Sequence, residues 1–600
     1  MDTPEHRAAL PYRYYDVNTK TVVIRLIAPC DVLSVDILYG DPYNYRKENG
    51  AELWQYETKP LEQYFKGVST NVWRIACVPP PWNRMMYGFH IKTADHEYYY
   101  AGELMPYTAA SMDYYYNHFF YPYIHAVDAP RAPQWVQKTV WYQIFPERFC
   151  RGNSALTGAD LEKLEKLEKL ENWEHGEPTP HNFFGGDLRG IQKKLPYLKD
   201  LGINGIYLTP IFKSPSNHKY DTEDYLSIDE HFGTAEDLKQ LVSDAHAAGI
   251  RIMLDAVFNH AGKSHPFWQD VLKNQEQSPY KDYFHIHSFP VYEQYTDAQS
   301  MNYECFGFYS RMPKWNTDNP HVRQYLIDAA LYWIKIYDID ALRLDVANEV
   351  SFDFWREFSQ QVAAVKEDFY ILGEVWYDAS PWINHGYFDA VMHYPLGFAL
   401  AEYFLEQSLS PDQFTEKLVK TLSYYSDLHN RISFNLLDSH DTSRALTKAH
   451  NDKCALKNAF TLLFLLPGAP CIFYGTEVGI NGGHDPKCRK PMIWDEQKQD
   501  KALYSFFKRL IQLRLKYINV INNAVIRYIP HKDSALNGCW TFSYNETVLS
   551  FVHIGKEDLK KEIVEAEYGT VILTTGSDTA EHIAAGSVAV LMNIKERSII

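Results

Sequence analysis

Two rhythms of apolar positions divide the chain. Between Thr21 and about Tyr100, short apolar runs, TVVIRLIAP (21–29), VLSVDILYG (32–40), NVWRIACVP (71–79) and YGFHIKT (87–93), are separated by Pro, Asp, Asn and Gly. Runs of this length between turn residues predict β-strands, and their succession predicts a β-sandwich over residues 1–127. After the Pro-containing joint DAPRAPQW (128–135), strand-like runs alternate with amphipathic stretches such as AEDLKQLVSDAHAAG (235–249) and NPHVRQYLIDAALYWIKIYD (319–338). That alternation predicts a parallel sheet with helices outside it.

Eight runs qualify as the strands of this sheet: TVWYQIF (139–145), GIYLTPI (205–211), RIMLDAVF (251–258), ALRLDVA (341–347), FYILGEVW (369–376), AVMHYPL (390–396), ISFNLLDS (432–439) and PCIFYGTEV (470–478). Eight such units predict an α/β fold, a (β/α)8 barrel over 128–517. This span exceeds the roughly 250 residues of a bare barrel, so its loops carry insertions. The largest, about 259–318, is rich in Tyr, His and Trp without helical period and predicts a small irregular subdomain B beside the barrel mouth. The helix DKALYSFFKRLIQLRLKY (500–517) closes the barrel, and short β-runs over 518–600 predict a C-terminal β-sandwich. The repeat LEKLEKLEKLEN (161–172) has leucines every third residue, which drift around a helix and predict a solvated surface helix.

Composition narrows the classes of function. A formal net charge of −17 argues against a surface that tracks nucleic-acid phosphates. The first residues have no apolar segment of signal-peptide length, and no window reaches the ~18 apolar residues of a membrane span, so a cytoplasmic protein is expected. The 8 Cys are scattered with no Cys-x-x-Cys pair, which indicates neither a zinc site nor a disulfide framework. The 45 Tyr and 14 Trp suit stacking against sugar rings as well as core packing, and a neutral substrate fits this surface.

In a barrel of this type, catalytic groups project from the C-terminal ends of the strands. The third strand ends in Asp255, Asn259 and His260; the fourth in Arg343, Asp345, Asn348 and Glu349; the fifth in Glu374 and Trp376; the seventh in His440 and Asp441. Any one carboxylate at a strand end is as readily a helix cap; the set on one rim is not. Arg343 and Asp345, two apart on a strand, share a face, where the guanidinium favours an ionised nucleophile. Glu374 follows a Gly in an apolar run, where a low dielectric favours the neutral form a general acid needs.

The motifs DAVFNH, ALRLDVANE, GEVW and LLDSHD, in this order, resemble the α-amylase superfamily of glycoside hydrolases over about Thr139 to Trp494. The resemblance implies Asp345 as nucleophile, Glu374 as acid/base and Asp441 as the group that grips sugar hydroxyls and stabilises the transition state. It implies Tyr220 of NHKYD under the sugar, and His260, Arg343 and His440 on its hydroxyls and supporting the carboxylates. The β-domain ahead of the barrel, TPIFKSPSNHKYD (209–221), MPKWNTDNP (312–320) and the VANE run resemble the neopullulanase, cyclomaltodextrinase and maltogenic amylase subfamily.

That resemblance implies Trp376, Asn348 and Glu349 on the acceptor side, with transglycosylation as a side activity. It also implies cyclodextrins, maltooligosaccharides and pullulan as substrates, and a homodimer in which the N-terminal domain narrows the site. Asp485 and Arg489 of HDPKCRKPMIWD resemble a glycone-side clamp, a surface ion pair being the alternative. The chain departs from the family at Ala341 and Leu342, before the strand-four Arg, and at Tyr377, where His often stands. In RFCRGNSALTGAD (148–160) and beyond, only Asn153 and Asp187 remain as oxygen ligands where relatives carry a calcium loop. Calcium wants six to eight oxygens, so no cofactor is expected to be required. Two other readings stay open: another enzyme of the superfamily, such as an oligo-1,6-glucosidase, a sugar isomerase or a starch-degrading α-amylase, and a non-catalytic binding relative. The VANE run and front β-domain speak against the first, the complete set of three carboxylates against the second.

Overall fold

The computed structural model describes residues 3–48, 51–102, 117–152, 170–292, 301–523, 525–531, 534–545, 549–577 and 579–593. Asn153 and most of the LEKLEKLEKLEN repeat lie outside the described residues. The chain forms two compact units, Pro133–Glu406 with Ile432–Lys516, and Met1–Ala132 with Gln407–Arg431 and Tyr517–Ile600.

The first unit is the barrel. Its strands are β1 (Trp141–Ile144), β2 (Gly205–Leu208), β3 (Arg251–Ala256), β4 (Ala341–Leu344), β5 (Tyr370–Gly373), β6 (Ala390–Val391), β7 (Phe434–Asn435) and β8 (Ala469–Phe473). Seven of them fall within a predicted run, and β8 begins one residue ahead of its run, at Ala469. They pair in parallel from β6 through β5, β4, β3, β2, β1 and β8 to β7, and a parallel bridge between Met392 and Phe434 closes the ring. Almost every strand residue is buried, as parallel strands covered on both faces require.

The helices between strands are set by local chemistry. In the helix Ala235–Ala247, Thr234 and Asp237 form a reciprocal capping box, and Leu238, Leu241, Val242 and Ala245 make the buried stripe. Between β3 and the helix Pro320–Tyr337 lies an insertion that carries the helix Pro266–Asn274, where no helical period was expected. It is built on an aromatic core, with Phe284 stacked on Trp315 at 4.6 Å and Trp268 against Tyr303 at 4.7 Å. Residues 293–300 of this insertion lie outside the described residues. No helix among the described residues is long and apolar enough to cross a membrane.

In the second unit, strands Ser34–Gly40 and Met85–Lys92 pack through Ile37, Phe89 and Ile91 on Val22, Ile24 and Leu26 of Thr21–Pro29, giving a two-sheet core. The terminal β-regions join one nine-stranded sheet, because Glu62–Lys66 pairs in parallel with Ile526–Pro530. The C-terminal strands are backed by the helix Lys561–Tyr568, whose Val564 and Tyr568 pack on Val552 and Leu591. Residues 407–431, which lie between β6 and β7 in sequence, belong to this unit. There Glu416 accepts hydrogen bonds from the backbone N–H groups of Val68 and Ser69 and from the Ser69 hydroxyl.

Candidate active site

The ladder between β4 and β5 places two carboxyls side by side. Leu344 pairs with Gly373, and the pairing runs on: Asp345 N–H donates to Ala256 O, and Glu374 N–H to Leu344 O, each at 3.0 Å. Asp345 and Glu374 therefore leave adjacent strands at equal height. Neighbouring strands lie about 4.8 Å apart, close to the roughly 5 to 5.5 Å between carboxyls that a retaining glycosidase uses. Gly373 is required here, since a Cβ would lie 2.5 Å from the Phe388 ring.

Arg343 binds this pair from below. Its Nη1 donates to Asp255 Oδ1 and Oδ2 at 2.9 and 3.0 Å and to Asp345 Oδ1 at 2.7 Å; its Nη2 lies 2.7 Å from Glu374 Oε1. The guanidinium was expected to serve the nucleophile while Glu374 sat in apolar surroundings; instead one cation faces three carboxyls. Burial drives Asp345 well above the ordinary carboxylate range against the pull of Arg343, with Glu374 and Asp255 adding to the rise. Burial likewise raises Asp255 to about 6, with Arg343 opposing. Arg343 does pull Asp345 toward the ionised form, as their shared face predicts, but burial outweighs that pull.

Around the trio runs a neutral hydrogen-bonded shell. Tyr207 and Tyr220 hydroxyls donate to Asp255 Oδ2 at 2.5 and 3.0 Å. Gln143 Nε2 donates to His440 Nδ1 at 2.8 Å, which leaves His440 Nε2–H to donate to the Tyr220 hydroxyl. Tyr220 and His440 rings stack at 5.5 Å, within 9° of parallel. Burial, then Arg489 and Arg343, hold His440 well below its ordinary range, so the imidazole is neutral. Asn259 Nδ2 donates to His260 Nδ1, and His260 Nε2–H to the Tyr220 carbonyl, each at 3.2 Å; burial lowers His260 to about 3. Arg343 and His440 are 0% exposed and His260 1%, so in this state all three act on protein groups.

Asp441 lies across the mouth, with His440 Nε2 3.2 Å from its Oδ2 and Arg489 Nη2 3.3 Å from its Oδ1. Arg489 Nη1 also pairs with Asp485 at 2.8 Å, and Arg489 is buried. The Asp485 and Arg489 pair is therefore joined to Asp441 at the site. Trp376 is 39% exposed and stacks on Tyr394 at 4.0 Å, and its Nε1 donates to Glu374 Oε1 at 3.1 Å. Asn348 and Glu349 form a short turn after the nucleophile candidate, where Lys314 of the insertion pairs with Glu349 at 3.1 Å. Between them and Asp345, Val346 is left-handed (φ 46°, ψ 43°), a conformation costing about 1–3 kcal/mol. It turns its N–H onto Glu374 Oε2 at 3.0 Å.

Asp187 caps the helix Leu188–Lys193. Its Oδ1 accepts from Gly190 N at 2.6 Å and its Oδ2 from Gly152 N at 2.9 Å, which engages both oxygens. Among the described residues no group of three or more His, Cys, Asp or Glu gathers in metal-ligand geometry.

Gln143, Tyr207 and Tyr394 are site residues that the sequence analysis did not name. An amide in the buried run WYQIF was a usable signal for Gln143. The tyrosines cannot be told from core tyrosines without the register that aims them.

Residues 143–527 match the model of the α-amylase catalytic domain, and residues 5–125 that of the α-amylase N-terminal Ig-like domain. The chain is 47% identical over 545 residues to a cyclomaltodextrinase of Geobacillus thermopakistaniensis, covering 90% of this chain and 89% of that one. It is 46% identical over 502 residues to an intracellular maltogenic amylase of Bacillus subtilis, covering 83% and 82%. It is 37% identical over 535 residues to neopullulanase 2 of Thermoactinomyces vulgaris, covering 89% and 87%. A solved structure of a cyclomaltodextrinase superposes with a TM-score of 0.82 at 36% identity, covering 98% of this chain and 99% of that one. The catalytic-domain match alone spans more than half the chain, and on these grounds the protein belongs to the α-amylase family and is a glycosidase.

Proposed function

We propose that the protein is a retaining hydrolase of α-1,4 and α-1,6 glucosidic bonds in cyclodextrins, maltooligosaccharides and pullulan. The observation that carries the retaining reading is the in-register exit of Asp345 and Glu374 from adjacent strands. Glu374 donates its proton to the glucosidic oxygen as Asp345 attacks the anomeric carbon. The bond to the leaving sugar breaks, the leaving group departs as an alcohol, and a glucosyl ester forms on Asp345. Glu374, now a carboxylate, takes a proton from water, which attacks the same carbon and displaces Asp345, so the anomeric configuration is retained. The first step requires Asp345 ionised and the proton on Glu374 once sugar is bound. Asp441, with Arg489 and Asp485, takes the hydroxyls of the glycone sugar, and Tyr220 lies beneath it.

Trp376, Asn348 and Glu349 form the acceptor side, where the indole face competes with water for the glucosyl ester by seating a sugar, which gives transglycosylation. The names of the relatives, cyclomaltodextrinase, maltogenic amylase and neopullulanase, support the substrate range, and "intracellular" in one of them supports a cytoplasmic location. A homodimer through the N-terminal domain completes the reading. With Asp187 engaged as a helix cap, no role is assigned to calcium.

The test is the initial rate on β-cyclodextrin, pullulan and soluble starch, with the first-formed anomer read by NMR and the mass by sedimentation velocity. Rapid cyclodextrin opening to the α-anomer by a dimer is expected. The β-anomer first would overturn retention, and starch as best substrate would mean an open-cleft amylase.

A further inference from the structure

Glu374 meets one cation and two hydrogen-bond donors, and they are not equivalent. Arg343 from β4 also holds Asp345 and Asp255, so its charge cannot by itself fix one carboxyl relative to another. Trp376 Nε1, at 3.1 Å, and the Val346 N–H, at 3.0 Å, donate to Glu374, one to each oxygen. An indole N–H can only donate, so its bond fixes which edge of the carboxyl points away from the incoming glucosidic oxygen. The indole is itself immobilised: its ring lies 4.0 Å from Tyr394 and within 9° of parallel, and the buried Tyr394 has its hydroxyl 3.3 Å from Ser439 Oγ. The residue as a whole remains 39% exposed.

Resting on the reading of Glu374 as acid/base, we infer that Trp376 is a positioning residue for the proton donor, its N–H fixing the Glu374 carboxyl while its outer face receives the acceptor sugar. One side chain thereby links occupancy of the acceptor side to the aim of the acid.

The experiment compares kcat/KM on β-cyclodextrin, whose leaving group must be protonated, with kcat/KM on α-maltosyl fluoride, whose leaving group departs without an acid. Both report the glycosylation step. Trp376→Phe keeps an aromatic face and removes the N–H. It is expected to lower the cyclodextrin value by about tenfold, part of the 10²–10⁴ a positioned acid contributes, and to leave the fluoride value within about twofold. An equal loss on both substrates, or none on either, overturns the inference. Glu374→Ala in parallel separates the two claims: if it shows the same split, the acid/base reading stands whatever Trp376→Phe does; if it does not, that reading fails and the inference with it.

Discussion

Two buried ion clusters in this protein use the same groups in opposite proportion. At the barrel mouth one guanidinium, Arg343, faces Asp255, Asp345 and Glu374. In the other unit one carboxylate, Asp427, faces Arg74 at 2.5 Å and Arg25 at 3.8 Å, and its side chain is 1% exposed. Burial works against the charge of Asp427, yet Arg74, Arg25 and Arg431 together bring it below the ordinary carboxylate range. For Asp345 the same burial wins, because its one cation is shared and its neighbours are carboxyls. Cations in excess keep Asp427 ionised as a fastening; carboxyls in excess leave Asp345 pushed toward its neutral form.

The comparison can be broken at its functional end first. Glu374→Gln should lower kcat on β-cyclodextrin by roughly 10²–10⁴-fold, while the melting temperature stays level or rises, because the excess of carboxyls around Arg343 is reduced. At the structural end, Asp427→Asn leaves two arginines facing no carboxylate and should cost about 3 kcal/mol, read as a fall in melting temperature. Because Asp427 is depressed on folding, its contribution is full above the unfolded value near 3.9 and lost only as pH falls below it. The deficit of Asp427→Asn should therefore be the same at pH 5.5 and 7.5, and a deficit that shrinks on acidification within that range would remove the charge explanation.

Between the extremes sits Lys219, fully buried, with Nζ 2.9 Å from Asp229 Oδ2 and also donating to Ser214 O. It holds the turn that presents Tyr220. Lys219→Met should lower kcat/KM on β-cyclodextrin about tenfold, through displacement of that platform; unchanged kinetics would confine Lys219 to stability. The smallest effect per group is shared by both regions. His6 and His260 are lowered to about 3, and His218 and His429 to about 4, by burial first in each case. Each is neutral in the fold and takes up a proton on unfolding below 6.5, so the stability it contributes is full above 6.5 and declines as pH falls toward its folded value. Melting temperature should drop steadily from pH 7 to pH 5, and a flat profile would mean these rings are not buried neutral.

Much of this was legible in the chain. The eight strands were readable because parallel strands, covered on both faces, are written as unbroken apolar runs between helical stripes. The candidate carboxyls Asp345 and Glu374 were readable because barrels place such groups just past strand ends, where they stand out as polar interruptions, whereas Asp441 stands farther on, beyond β7. The two-residue strands β6 and β7 were placed only by their longer apolar surroundings.

What the sequence by itself determined is the order of elements and the identity of the residues at the barrel mouth, since both are encoded by local period and by position relative to strand ends. Only the tertiary structure decided how charge is distributed among them. Pairing register set Asp345 beside Glu374, and ring closure aimed Tyr207, Gln143 and Tyr394 inward. Burial then outweighed the pull of Arg343 on Asp345, because a pKa depends on every charge and dipole within several ångströms, and that neighbourhood is drawn from many strands rather than from adjacent residues.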